Sequence, residues 1–186
     1  MYKNLLSWLT VLVLFPSCSK TPPNISVVCE ENNVGNCIIK WETAPLIHGQ
    51  VKVYASVNPE LIPETMPIAA APISEGKMVI VTDDPSRRYY YTMVFNNKYR
   101  VKVATRNINI PGIQNFRDLG GYRSSTTGKN VRWGMLYRSA QIDSLGCAAR
   151  RELRNMGIRT IIDLRTPEEL NNYPQIQKGF NVVHIP

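Results

Sequence analysis

The pattern of apolar residues changes near Ile110-Pro111-Gly112, and this change constrains the fold more than any other feature of the chain. Between residues 25 and 108, apolar and polar residues alternate in short segments such as Val51–Ala55, Met78–Val81 and Lys98–Val103. Alternation of this kind predicts β-strands, because successive side chains of a strand point to opposite faces. Prolines separate the segments, and no helical periodicity interrupts them. We therefore predict a β-sandwich of the fibronectin-III or immunoglobulin type for residues 25–108.

After the boundary the pattern predicts helices that alternate with strands. Apolar residues recur at helical spacing in Leu145–Met156, and Gly157 is suited to end that helix in a left-handed conformation. The apolar run Ile158–Leu164 predicts a buried strand, and Thr166–Glu169 forms a capping box that predicts a second helix start. Asn181–Ile185 predicts another strand. The alternation predicts a parallel α/β sheet.

Residues 1–18 have the composition of an export signal. Lys3 precedes an apolar run that is too short to span a bilayer, and the small residue Ser17 precedes Cys18. This arrangement resembles a lipoprotein signal with Cys18 as the lipidated residue; the alternative is a plain secretory signal with an incidental Cys. Residues 19–24 predict a short extended tether. We expect an exported chain, held at a membrane by a lipid anchor and facing the periplasm or the cell exterior.

The composition is that of a folded, basic protein. It is 44% hydrophobic and 19% charged, with a formal net charge of +8. A basic surface attracts anions, and export favours phosphorylated substrates or anionic head groups over nucleic acid. His48 is predicted to lie in a turn and His184 to be structural, and neither has the companions that a metal site requires. We predict no nucleic-acid partner and no metal.

Three motifs follow one another after the boundary. They are Asn115–Gly121 (Asn-Phe-Arg-Asp-Leu-Gly-Gly), Leu136–Ser139 (Leu-Tyr-Arg-Ser) and Thr160–Arg165 (Thr-Ile-Ile-Asp-Leu-Arg). In this order they resemble the opening half of the bacterial Cys-based tyrosine/dual-specificity phosphatases that also dephosphorylate phosphoinositides. The resemblance implies that residues 109–186 are the first half of a parallel α/β phosphatase domain. It also implies a phosphorylated protein or a phosphoinositide as substrate of the complete protein, and hydrolysis through a phosphocysteine without any cofactor.

The nucleophile of such a reaction has a strict spacing requirement. A thiolate Cys must end a strand, and an Arg must open the following helix six positions later, so that the loop between them surrounds the phosphate. None of the four cysteines has an Arg at that distance: Cys18, Cys29, Cys37 and Cys147. We therefore predict no catalytic residue here, a chain that ends before the nucleophile, and no phosphatase activity from it alone. The alternative is a non-catalytic binding lipoprotein that acts through its β-sandwich.

The resemblance also assigns site residues. Ligands of open α/β sheets bind at the carboxyl ends of strands, where Arg138, Ser139 and Arg165 are expected to bind substrate. The two arginines could equally orient the phosphate loop or form ion pairs with nearby aspartates. The residues predicted to support the site are Asn115, Phe116, Arg117, Asp118 and Asp163.

Cys29 and Cys37 flank a segment with turn residues, so they could face each other across a hairpin. Export permits a disulfide between them, and two free thiols in neighbouring strands are the alternative.

Overall fold

A computed structural model describes residues 21–33, 36–82, 84, 87–142, 145–172 and 179–186. The predicted export signal, Cys18 as the predicted lipidation residue and the first two residues of the predicted tether lie outside the described residues. Within the described ranges, no helix combines the length and the apolar character needed to cross a membrane.

The first part of the chain forms two antiparallel sheets. Its strands are β1 (Asn24–Asn33), β2 (Asn36–Ala44), β3 (Gln50–Ser56), β4 (Ala69–Pro72), β5 (Lys77–Val81), β6 (Tyr90–Phe95) and β7 (Tyr99–Ala104). One sheet has the strand order β1-β2-β5, and the other has the order β4-β3-β6-β7. The predicted β-sandwich is confirmed.

The sandwich core consists of alternate residues of the facing strands. β2 contributes Ile39 and Trp41, β3 contributes Val51 and Val53, and β6 contributes Phe95, all of them buried. The rings of Trp41 and Phe95 meet edge to face, with centroids 6.4 Å apart. The Trp41 indole Nε1 donates to the carbonyl oxygen of Ile73 at 2.7 Å, so this buried donor is satisfied.

The second part of the chain contains short strands and two helices. They are β8 (Arg117–Asp118), β9 (Tyr137–Arg138), α1 (Cys147–Asn155), β10 (Thr160–Asp163), α2 (Pro167–Asn172) and β11 (Asn181–His184). β10 and β11 pair in parallel, which confirms a partial α/β unit. β9 pairs antiparallel with β8, and within the described residues it is not hydrogen-bonded to β10. The carboxyl ends of β9 and β10, where Arg138 and Arg165 were expected to bind substrate, therefore belong to two different sheets.

The ends of the helices follow the local sequence. Gly157 has a φ of +78°, and its N–H bonds to the carbonyl oxygen of Arg154 at the end of α1. At the start of α2, the Glu169 N–H donates to Thr166 Oγ1 at 3.3 Å, and the Thr166 N–H donates to Glu169 Oε2 at 2.7 Å. Both predicted end signals are confirmed, because each needs only groups within a few residues of one another.

The second part has its own apolar core, separate from that of the sandwich. Its buried residues are Ile110, Ile113, Phe116, Ile142, Leu145, Ala149 and Leu153. The rings of Phe116 and Tyr137 stack at 5.2 Å, which joins β8 and β9 to this core. A small cluster of Tyr90, Ala104 and Trp133 connects the sandwich to the second part.

Candidate functional site

The Asn115–Gly121 segment is arranged around the carboxylate of Asp118, which is 0% exposed. Its Oδ1 accepts the N–H of Gly120 at 2.7 Å, and its Oδ2 accepts the N–H of Gly134 at 2.9 Å. Oδ2 also pairs with Nη1 of Arg88 at 2.8 Å. A buried carboxylate is tolerated only when it is paired and hydrogen-bonded. Asp118 meets that condition and fixes the turn around it.

Arg88 lies just before β6 and therefore comes from the sandwich. Besides Asp118, its guanidinium donates to the Tyr90 hydroxyl and to the carbonyl oxygen of Thr105, each at 2.8 Å. Asp118 is therefore not the aspartate with which Arg138 forms an ion pair, because its partner is Arg88. Sequence reasoning missed Arg88, since its only signal was an Arg-Arg pair before a tyrosine-rich strand.

Two tyrosines next to this ion pair are shielded from solvent. Burial raises the pKa of the Tyr90 and Tyr137 hydroxyls, and the two hydroxyls are hydrogen-bonded to each other. Both therefore stay neutral at physiological pH and serve as hydrogen-bonding groups beside the Arg88–Asp118 pair.

The glycine pair of the motif makes room for Trp133. A Cβ on Gly120 would lie 2.5 Å from Cδ2 and 2.6 Å from Cα of Trp133, and one on Gly121 would lie 2.8 Å from Cζ2. The Trp133 Nε1 donates to the carbonyl oxygen of Lys102 in β7 at 3.3 Å. Arg106 stacks over Trp133 and donates to the carbonyl oxygen of Gly120 at 2.7 Å. The motif is thus packed directly against the edge of the sandwich.

A cleft of about 1230 Å³ lies between the sandwich and this segment. Its walls include parts of β1 and β7 on one side, and three arginines of the second part on the other: Arg117, Arg123 and Arg138. Arg117 and Arg138 are direct register partners in the β8–β9 pair. Within the part of the chain that the structure describes, neither of these two has a hydrogen-bond or ion-pair partner for its side chain.

The remaining predicted substrate-binding residues lie elsewhere. Arg165 is buried, and its Nε and Nη2 each lie 3.0 Å from a carboxylate oxygen of Asp163. This hydrogen-bonded pairing holds the pKa of Asp163 below its ordinary value. The carbonyl oxygen of Arg165 is 2.6 Å from Nε2 of His184. Ser139 is half-buried, and its Oγ donates to the carbonyl oxygen of Ala140 at 2.7 Å. Of the three residues predicted to bind substrate, Arg138 alone lines the cleft.

The cysteines of the sandwich are free thiols in the structure. Cys29 opposes Ile39 and Cys37 opposes Glu31, so the two cysteines are diagonal neighbours on one face of the β1–β2 pair. The Cys29 thiol donates to the sulfur of Cys37 and lowers the Cys37 pKa to about 7. Cys37 is nevertheless enclosed in the sandwich core, and a thiol rather than an anion-binding Arg lowers its pKa. It does not have the surroundings of a phosphatase nucleophile.

Metal ligation has no support in the described ranges, where no three or more His, Cys, Asp or Glu side chains are grouped so that they could hold an ion.

Comparison with known proteins identifies the class of the second part. Residues 108–186 match the family model described as the tyrosine phosphatase family, and the three motifs lie within the matched segment. The second part of the chain is thus related to tyrosine phosphatases. No curated protein matches the chain.

Solved structures give a weaker likeness. An apo β-glucuronidase from Ruminococcus gnavus aligns with 87% of this chain at 16% identity and a TM-score of 0.31. The same enzyme in complex with D-glucaro 1,5-lactone aligns with 87% of this chain at 15% identity and a TM-score of 0.32. The aligned region spans 28% of the glucuronidase chain in both cases.

Proposed function

We propose that the chain provides the scaffold of an exported, lipid-anchored tyrosine/dual-specificity phosphatase, a phosphoric monoester hydrolase that acts through a phosphocysteine. The observation that carries the proposal is the match of residues 108–186 to the tyrosine phosphatase family. The substrate class of the complete protein is a phosphorylated protein or a phosphoinositide. The net charge of +8 favours such anionic ligands.

Site roles follow from where the side chains lie. Arg138, at the end of β9, contacts the substrate phosphate, and Ser139 borders the same position. Asp118 and the Asp163–Arg165 pair hold the surrounding backbone, because their charges are already satisfied inside the protein. This division departs from the sequence prediction for Arg165, which is assigned a supporting role.

The chain lacks an Arg six positions after any of its four cysteines, and we therefore expect no hydrolysis from it alone. The test is release of phosphate from p-nitrophenyl phosphate and from a phosphotyrosine peptide by the purified chain, with an active Cys-based phosphatase as positive control. Turnover that is abolished by Cys37→Ser or Cys147→Ser would overturn this part of the proposal.

A binding lipoprotein is the second candidate, because the sandwich has two full sheets of its own and a closed apolar core. The two functions predict different continuations of the reading frame after the codon for Pro186. An open frame that encodes Cys, five residues and Arg supports the phosphatase, whereas an immediate stop codon supports the binding protein.

Membrane anchoring rests on Cys18 and is tested separately. Metabolic labelling with an alkyne fatty acid should mark the wild-type chain and leave Cys18→Ser unmarked. Export of an unlabelled wild-type chain would favour the plain secretory signal.

A further inference from the structure

Arg117 and Arg138 face each other across the short antiparallel pair of β8 and β9. The β8–β9 ladder has two registered positions, and one of them joins these two arginines. Directly opposite residues have Cβ atoms about 4.5–5.5 Å apart, and like charges in that position destabilise a sheet. Both side chains line the cleft between the sandwich and the Asn115–Gly121 segment. The pair is thus an unfavourable arrangement unless something neutralises it.

The carboxylates near the cleft do not neutralise it. Asp118, the neighbour of Arg117, has both oxygens occupied by Arg88, Gly120 and Gly134. Glu30, on the β1 wall, pairs with Lys40 at 2.6 Å.

The balance of the remaining charges in the cleft is positive. Among the carboxylates that line the cleft, Glu31 has no ion-pair partner within the described residues. Its single negative charge compares with the three positive charges of Arg117, Arg123 and Arg138 in the same lining. The cleft therefore carries an excess of unpaired guanidinium groups.

We propose that Arg117 and Arg138 form an anion site that holds a phosphate group in this cleft. Guanidinium groups on two register partners match a tetrahedral oxyanion, because each planar fork can donate two parallel hydrogen bonds to it. Arg106, stacked on Trp133 and Tyr122 and bonded to backbone carbonyls, borders the site as a fixed positive charge.

The cleft accepts more than the phosphate itself. Its volume of about 1230 Å³ exceeds what a single phosphate fills, and its walls include β1 and β7, which are edge strands of their sheets. Edge strands present backbone N–H and C=O groups that have no partner within the sheet. The ligand is therefore an organic phosphate whose organic group lies against β1 and β7 of the sandwich.

This inference extends the proposed function, in which Arg138 contacts substrate phosphate. It adds Arg117 as a second phosphate-binding residue beside Arg138. Because the measurement is binding rather than turnover, its failure is distinguishable from a failure of the phosphatase proposal.

The test is titration calorimetry of the purified chain with inorganic phosphate at low ionic strength. Arg117→Gln and Arg138→Gln should each weaken phosphate binding at least tenfold. Arg151 is an exposed residue of α1 that does not line the cleft, so Arg151→Gln is the matched control and should leave the affinity for phosphate unchanged. Equal losses in all three variants, or no loss in the first two, would overturn the site.

Thermal unfolding supplies a second measurement that is independent of calorimetry. Without phosphate, Arg117→Gln and Arg138→Gln should raise the melting temperature, because each removes a like-charge contact. Phosphate should then raise the melting temperature of the wild type and not that of the two variants. An equal rise of the wild type with sodium chloride at the same ionic strength would mean screening alone, and would contradict the proposal.

Competition experiments identify the organic group that bears the phosphate. O-phosphotyrosine or inositol trisphosphate should displace bound phosphate, and the tighter competitor tells whether an aromatic ester or a lipid head group is preferred. Displacement by neither would refute the claim that the cleft takes an organic phosphate.

Discussion

The carboxylate of Asp118 joins groups that are far apart in the sequence. It binds the backbone of Gly120 and Gly134 and the side chain of Arg88, thirty positions earlier. The motif aspartate could be selected from the sequence because it belongs to a recognisable run of residues. Its partner could not, since any of several arginines satisfies the same charge and only the tertiary fold decides between them.

Replacing Arg88 with Ala should destabilise the protein by about 3–5 kcal/mol, because the buried Asp118 loses its counter-charge. Arg87→Ala is the matched control. Arg87 forms an exposed ion pair with Asp84 and should contribute less than about 1 kcal/mol. Urea unfolding measures both variants. Equal losses would show that the burial of the Arg88–Asp118 pair has no energetic role.

The Asp163–Arg165 pair predicts a pH dependence. The pKa of Asp163 is lowered in the folded state from its ordinary 3.8, so the pair contributes stability above that pH and loses it as the pH falls through the folded pKa. The difference in unfolding free energy between the wild type and Asp163→Asn should therefore be largest near neutral pH and shrink below pH 3.8. A difference that stays constant on acidification would contradict this.

Elements whose signals are local were predicted well. The end of α1 at Gly157 and the capping box of Thr166 and Glu169 depend on residues within one turn, and both were read from the sequence. The pairing of β9 with β8 could not be predicted from the sequence. A two-residue strand has no periodicity to show, and its partner is set by the stacking of Phe116 on Tyr137.

Gly120 is expected to tolerate no side chain, because a Cβ there would meet the backbone of Trp133. Gly120→Ala should cost about 1–3 kcal/mol through overpacking. In a Trp133→Ala background the same substitution should cost less, because the indole atoms near the new Cβ are gone, but a cost should remain, because the contact with Cα of residue 133 is unchanged. Strictly additive losses in the double variant would mean that the indole does not contribute to the cost of Gly120→Ala.

At the scale of the whole molecule, the boundary near Ile110 could be predicted because the two parts have different periodicities. The contact between the two parts could not be predicted, because the side chains that form it also pack or pair within their own part. Tyr90 and Trp133 pack together across it, and Arg88 reaches through it.

One face of the β10–β11 pair is apolar and exposed. Ile162 and its register partner Val183 lie on it with Leu164 and Ile185, and these side chains are 38–72% exposed. Such a surface favours association, so the chain should form concentration-dependent oligomers in sedimentation velocity. Ile162→Lys should reduce them, whereas Leu61→Lys, at an exposed position of the sandwich, should not. Oligomers that persist unchanged in Ile162→Lys would exclude this face as their cause.

The ion pair between Arg88 and Asp118 limits how such a chain can be rearranged. Recombination that joins the second part to an unrelated leading domain would leave a buried carboxylate without its cation. A descendant that loses the sandwich must also replace Asp118 or provide another cation for it. We therefore expect the two parts of the chain to be inherited as one unit.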